Sequence, residues 1–194
     1  MAHDNEVPTK LFAFSSAWEE WLSENSHTKQ GVWVQIAKKA SGIATVTYEE
    51  ALDTALCYGW IDGQRKSGGE DYFLQRFTPR RPKSLWSQRN VAKIWQLIAA
   101  ARMQPAGLAA VEAAQKDGRW EAAYASQKDM VIPEDFLLAV QQNQKAGAFF
   151  STLNKTSLYS ITWRLHTARK PETRTRLFGV LLQMLENGEK PHSS

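Results

Sequence analysis

The chain has 194 residues, 43% hydrophobic and 23% charged, with a formal net charge of +4, the profile of a globular protein of one large or two small domains. Its one cysteine, Cys57, excludes an internal disulfide and a thiolate metal cluster, and no apolar run approaches the roughly 20 residues of a membrane span. The N-terminal MAHDNEVPTKLFAF carries no basic segment followed by an apolar run, so a reducing, cytoplasmic setting is expected. The positive charge is concentrated. Residues 60–93 hold eight cations against three acids and residues 155–176 hold six against one, so the remainder of the chain is net acidic. Such local excess raises the expectation of an anionic partner, although a solvated helix face is the commoner cause.

In chain order, Leu11–Phe14 reads as a short strand, and Ser16-Ala17-Trp18-Glu19 fits a capping box opening a helix with Trp18, Trp21 and Leu22 at helical spacing. Gly31 ends that unit, and Val32–Ile36, rich in β-branched and aromatic residues, reads as a strand. Thr47-Tyr48-Glu49-Glu50 is a second capping box; its helix lines up Tyr48, Ala51, Leu52, Ala55 and Leu56, and Gly59 suits its stop. Trp60–Lys66 and Asp71–Thr78 then flank Ser67-Gly68-Gly69-Glu70 as an antiparallel hairpin, ended by Pro79 and Pro82. From Ser84 the pattern turns helical, with Val91, Ile94, Trp95, Ile98 and Ala101 on one stripe. Pro105 starts an alanine-rich helix that Gly118 can end. Ser126–Ile132 reads as a connector. Helices follow from Pro133, around Ala148–Leu153, over Lys155–Ala168 and over Pro171–Asn187. The fold class is therefore α+β: a small antiparallel sheet with the Trp60–Thr78 hairpin packed by helices over residues 10–125, then a helical C-terminal domain over 130–190.

The hairpin carries the densest chemistry. A two-residue loop at Gly68-Gly69 sets Asp62 opposite Gln75 and Trp60 opposite Phe77; a register shifted by one sets Asp62 opposite Arg76. Turn geometry, not composition, chooses between them. In one reading Asp62 orients Arg65 or Arg76, whose planar forks grip an anionic ligand, with Trp60 and Gln64 alongside. In the plainer reading an Asp–Arg pair only stitches the hairpin edge. The exit Thr78-Pro79-Arg80-Arg81-Pro82-Lys83-Ser84-Leu85-Trp86 adds Arg80, Arg81 and Trp86 beside a helix expected to start near Ser84, whose free amides would complete an anion site.

The stretches GWIDGQRK (59–66), FLQRFTPRRPKSLWS (73–87), RMQPAGLAAVEAAQKDGRW (102–120) and AFFSTLNKTSLYSITWRLHTARKPETRTR (148–176) resemble the bacterial YdeI/OmpD-associated, or bacteriocin-protection, family, from about Leu11 to Gly188. The resemblance implies an association with protection against bacteriocins or antimicrobial peptides, and it carries over no reaction and no catalytic residues. Some members are described as periplasmic; the absence of an export signal here departs from that.

Other chemistry is sparse. His3 and His192 lie in tails, His27 in a polar loop, and His166 in a helix beside Arg164 and Arg169. Cys57, at a helix C-terminus without a histidine partner, reads as a buried structural thiol. No zinc-protease, paired-cysteine, Walker or dinucleotide motif occurs, so neither metal nor cofactor is expected. The helix pair around Arg169–Arg176 reads either as a nucleic-acid unit or as an ordinary bundle hairpin. The expectation is a binding protein for an anionic small molecule or peptide at Trp60, Asp62, Gln64, Arg65, Arg76, Arg80, Arg81 and Trp86. The alternatives are an enzyme using Asp62 as acid/base and a nucleic-acid binder. The sequence does not specify an oligomeric state.

Overall fold

The computed structural model describes residues 7–126 and 128–191. The chain divides into two compact units, the first ending at Ala123 and the second starting at Tyr124. The first is α+β and the second helical.

The first unit is built on a four-stranded sheet of order β1-β2-β4-β3, from β1 (Thr9–Leu11), β2 (Val32–Ala37), β3 (Trp60–Ser67) and β4 (Tyr72–Pro79). The first strand lies earlier than the expected Leu11–Phe14 and pairs with β2 in parallel; the other pairings are antiparallel. Val32, Val34 and Ile36 alternate onto one buried face together with Phe77 and Trp60. Helices α1 (Ser15–Asn25) and α2 (Tyr48–Cys57) supply Trp18, Leu22, Ala51, Leu52 and Ala55 to the same core, and Trp18 Nε1 donates to Ala51 O at 3.0 Å.

The Ser16 capping box does not form. The helix starts at Ser15 after an N-cap at Phe14, which leaves Ser16 inside the first turn, where its hydroxyl cannot act as the cap. The Thr47 box does form. Thr47 N–H donates to Glu50 Oε2 at 2.9 Å and Glu50 N–H to Thr47 Oγ1 at 3.3 Å. Gly59 ends this helix with φ +74°.

Helix α3 (Gln88–Ala99) begins later than Ser84, because Ser87 accepts from Asn90 N–H and so sets the N-cap. Ile94 and Leu97 face the core and Val91 and Ile98 flank it. Trp95, expected inside, is 52% exposed and meets Trp120 edge-on. Helix α4 runs Pro105–Lys116, with Pro105 in its first turn.

In the second unit, α5 (Glu134–Gln142), α6 (Gln144–Phe150), α7 (Lys155–Thr167) and α8 (Pro171–Glu186) enclose Phe136, Val140, Ala146, Leu153, Ile161, Leu165, Leu181 and Leu185. Asn143 caps α6 and Asn154 caps α7, each accepting a hydrogen bond from an N–H in the first turn. Among the described residues no helix is long and apolar enough to cross a membrane.

Candidate functional site

The hairpin register matches neither expectation. Trp60 pairs with Pro79 and Asp62 with Phe77, whereas Arg65 pairs with Gln75 and Ser67 with Phe73. Two residues, Gly63 and Gln64, therefore stand against Arg76 alone, which is a β-bulge. The loop is also longer than two residues, with Gly68 N–H donating to Tyr72 O across it. The buried Gln75 side chain serves the bulge, since its amide donates to Gly63 O at 2.9 Å and Gln64 O at 3.2 Å.

The bulge changes which residues share a face. Asp62 and Arg65 are three apart and would point to opposite faces of a regular strand. Here they pair with Phe77 and Gln75, two apart on β4, so both lie on the helix-covered face. Arg76 pairs with Trp33 on the other face, sits over that ring at 5.9 Å and donates to Gln30 O at 3.4 Å. The wall of Asp62, Arg65 and Arg76 expected from the sequence is thus split by the sheet.

Asp62 makes no ion pair with either arginine among the described residues. Its carboxylate accepts from the Tyr48 hydroxyl at 2.8 Å. Tyr48 is the first residue of α2, placed there by the Thr47 cap, and it lines a cavity of about 500 Å³. The segment from Ala37 to Thr47 forms one side of that cavity, tied down where Ala37 N–H donates to Thr45 Oγ1 and Val46 N–H to Phe12 O. Ile36 and Val46, both buried, and the half-buried Phe73 give it an apolar lining. The exposed Lys38, Lys39 and Arg65 stand around it, with Arg65 over the Phe73 ring at 3.5 Å and Lys38 Nζ donating to Gly69 O.

The electrostatics favour a neutral phenol and a net positive mouth. Burial, then the adjacent Asp62 charge and hydrogen bond, push the Tyr48 hydroxyl far above its ordinary range, so it stays protonated. Glu49 is the cavity's carboxylate, and it is already engaged by Lys93 at 2.9 Å and by Arg89. Those bonds hold it below the usual carboxylate range.

The remaining candidates lie elsewhere. Trp60 is fully buried, edge-on to Trp18 and Trp21 with Nε1 donating to Ser26 O, so it is a core residue and not a stacking platform. Trp86 is 2% exposed and packs edge-on against Trp120. Gln64 is exposed and contributes its carbonyl to the bulge. Arg80 stacks over Trp86 at 3.5 Å and donates to Ser84 Oγ and Leu85 O, holding the exit loop. The helix expected to start near Ser84 begins instead at Gln88 under the Ser87 cap. Arg80, Arg81 and Trp86 instead line a separate small cavity of about 100 Å³.

Cys57 is buried, and burial pushes its thiol up to about 11, as expected of a structural cysteine. His166 Nε2 lies 2.8 Å from Val131 O, and Arg174 pairs with Asp135 at 2.8 Å; His3 and His192 lie outside the described residues. Among the described residues no three of His, Cys, Asp and Glu converge to hold a metal ion.

The sequence reading missed Tyr48, Lys38 and Lys39. Periodicity assigned Tyr48 to the apolar face of α2, yet its place directly after the N-cap residue Thr47 already marked it as the first residue of the helix.

Residues 10–110, more than half the chain, match the family model described as a domain of unknown function (DUF8412). The chain belongs to this family. Residues 129–188 match a second model, described as bacteriocin-protection, YdeI or OmpD-associated, so the helical unit is a domain of that family. The hairpin and its Pro-Arg-Arg-Pro exit fall within the first model, and the YdeI/OmpD model covers the helical segment alone. No curated protein and no solved structure matches the chain.

Proposed function

We propose that the protein binds a small organic anion with an apolar or aromatic body in the cavity between Lys38, Tyr48 and Arg65. The observation that carries this reading is the cavity's composition. It is about 500 Å³, within the few-hundred to thousand Å³ range typical of small-molecule sites, with an apolar lining and exposed Lys38, Lys39 and Arg65 around it. Its own carboxylate is already paired. An apolar body fits the lining, and a carboxylate or phosphate suits the guanidinium fork of Arg65.

Binding is favoured over catalysis because the two groups best placed for proton transfer are committed to one another: Tyr48 stays protonated and donates to Asp62. A small ligand is favoured over nucleic acid because the basic residues of 60–93 are divided between opposite sheet faces and ion pairs instead of forming one stripe. The description of the helical domain's family supports placing this binding in a protective response to bacteriocins, and the buried free thiol suits a reducing, cytoplasmic compartment. Fractionation that found the protein outside the cytoplasm would remove that last assignment.

Calorimetric titration of the full chain with aromatic carboxylates and their uncharged amides tests the site. The carboxylates should bind and the amides should not, and Arg65→Ala should weaken binding about tenfold, or ~1.4 kcal/mol. Equal affinity for the amide, or affinity unchanged by Arg65→Ala, refutes the reading.

A further inference from the structure

The second cavity is independent of the first. It lies where the exit loop after β4 meets α4 and the turn following it, and Arg80, Arg81, Ser84, Trp86 and Arg119 line it. Three arginines therefore border a space of about 100 Å³, larger than the ~30 Å³ share of one water and too small for an organic ligand.

The nearby carboxylate, Asp117, is paired with one of these arginines. Asp117 is bound by Arg119 Nε at 2.7 Å, and Arg119 Nη1 donates to Ser84 O at 3.0 Å. These bonds fix a guanidinium that is only 7% exposed. Ser84 Oγ accepts from Arg80, which leaves its own proton to donate. The Trp86 indole N–H is buried and has no hydrogen-bond partner among the described residues, an uncommon state for a buried donor. A cluster of fixed donors and cations around a void of this size has the chemistry of an oxyanion receptor.

We propose that this cavity binds a phosphate-type tetrahedral oxyanion, with Arg81 and Arg119 supplying the charge and Ser84 and Trp86 the neutral donors. Arg81 is the exposed member. The anion pairs the indole N–H that the folded chain leaves unmatched.

The test is a titration of the ¹⁵N-labelled full chain with inorganic phosphate at constant ionic strength, with the Trp86 indole resonance assigned by Trp86→Phe. That resonance should move saturably. The apparent Kd should rise at least tenfold in Arg81→Ala, by less in Arg81→Lys, and stay the same in Arg65→Ala. Thermal melts of the variants establish that they are folded. The proposal is overturned if the resonance is stationary up to about 20 mM phosphate, well past the millimolar range of weak binding. It is equally overturned if the titration is unchanged in Arg81→Ala, if it is lost in Arg65→Ala instead, or if acetate moves the resonance as strongly as phosphate.

Discussion

Ala101 occupies a position that chemistry would assign to glycine. Its φ is +53°, and it follows the end of α3 in a Schellman arrangement, with Ala101 N–H donating to Ile98 O and Arg102 N–H to Leu97 O. A side chain in the left-handed region costs about 1 kcal/mol, so Ala101→Gly should raise stability by roughly that amount in chemical denaturation. Gly107 is the opposite case. A Cβ there would sit 2.1 Å from Cys57 O, because α4 enters against the end of α2, where Gln104 N–H also donates to Cys57 O. Backbone cannot yield as a side-chain tip can, so Gly107→Ala should cost about 3 kcal/mol or more in the same assay. Neither position announces itself in the sequence. Ala101 reads as one more apolar residue of the α3 stripe, and Gly107 as a weak spot in an alanine-rich helix. Only the neighbouring backbone distinguishes them.

At the scale of elements, α2 and α3 are joined by a charged ladder in which Glu49 and Asp53 face Arg89 and Lys93, with Lys93 2.6 Å from Asp53 and 2.9 Å from Glu49. For Lys93, burial alone would lower its pKa, but the bonds to Asp53 and Glu49 outweigh that and raise it. Glu49 is held below its ordinary 4.5. The unfolded chain therefore takes up a proton at Glu49 before the folded one does as the solution is acidified. The ladder's contribution is present above that ordinary value and is lost as pH falls through the lower, folded one. Urea midpoints should thus drop between about pH 5 and about pH 3, and Glu49→Gln should flatten that drop. An equally steep drop in the variant would show that other carboxylates are responsible. Each of the four residues is legible as an i, i+4 pair on its own helix, but the pairing across helices depends on their packing. The hairpin is similar. Its two strands were legible from composition, and its bulge was not, because the buried amide of Gln75 holds the bulge open from the opposite strand.

At the scale of the whole molecule, two separate cores support two units. The first gathers Trp18, Trp21 and Trp60, with Trp18 and Trp21 stacked at 5.4 Å and Trp60 edge-on to both. The second is all aliphatic and phenylalanine, centred on Phe136, Ile161 and Leu181. A unit with its own buried core can fold without the other. The fragment Met1–Ala123 should therefore keep the near-ultraviolet circular dichroism of the tryptophan cluster, and a featureless spectrum would show that its core needs the rest of the chain. What the sequence determined by itself was local. Turn residues, caps and periodicities act over a few positions, so Thr47-Glu50, Gly59, Pro105 and the C-terminal helices could be read directly, and with them the α+β then all-α order. Tertiary structure alone decided which charges meet. A one-residue bulge moved Asp62 and Arg65 onto one face, the Ser87 cap set the start of α3 beyond Ser84, and packing buried Trp60 and Trp86 among other tryptophans. Register and burial depend on contacts between residues far apart in the chain, and spacing along the chain carries no record of them.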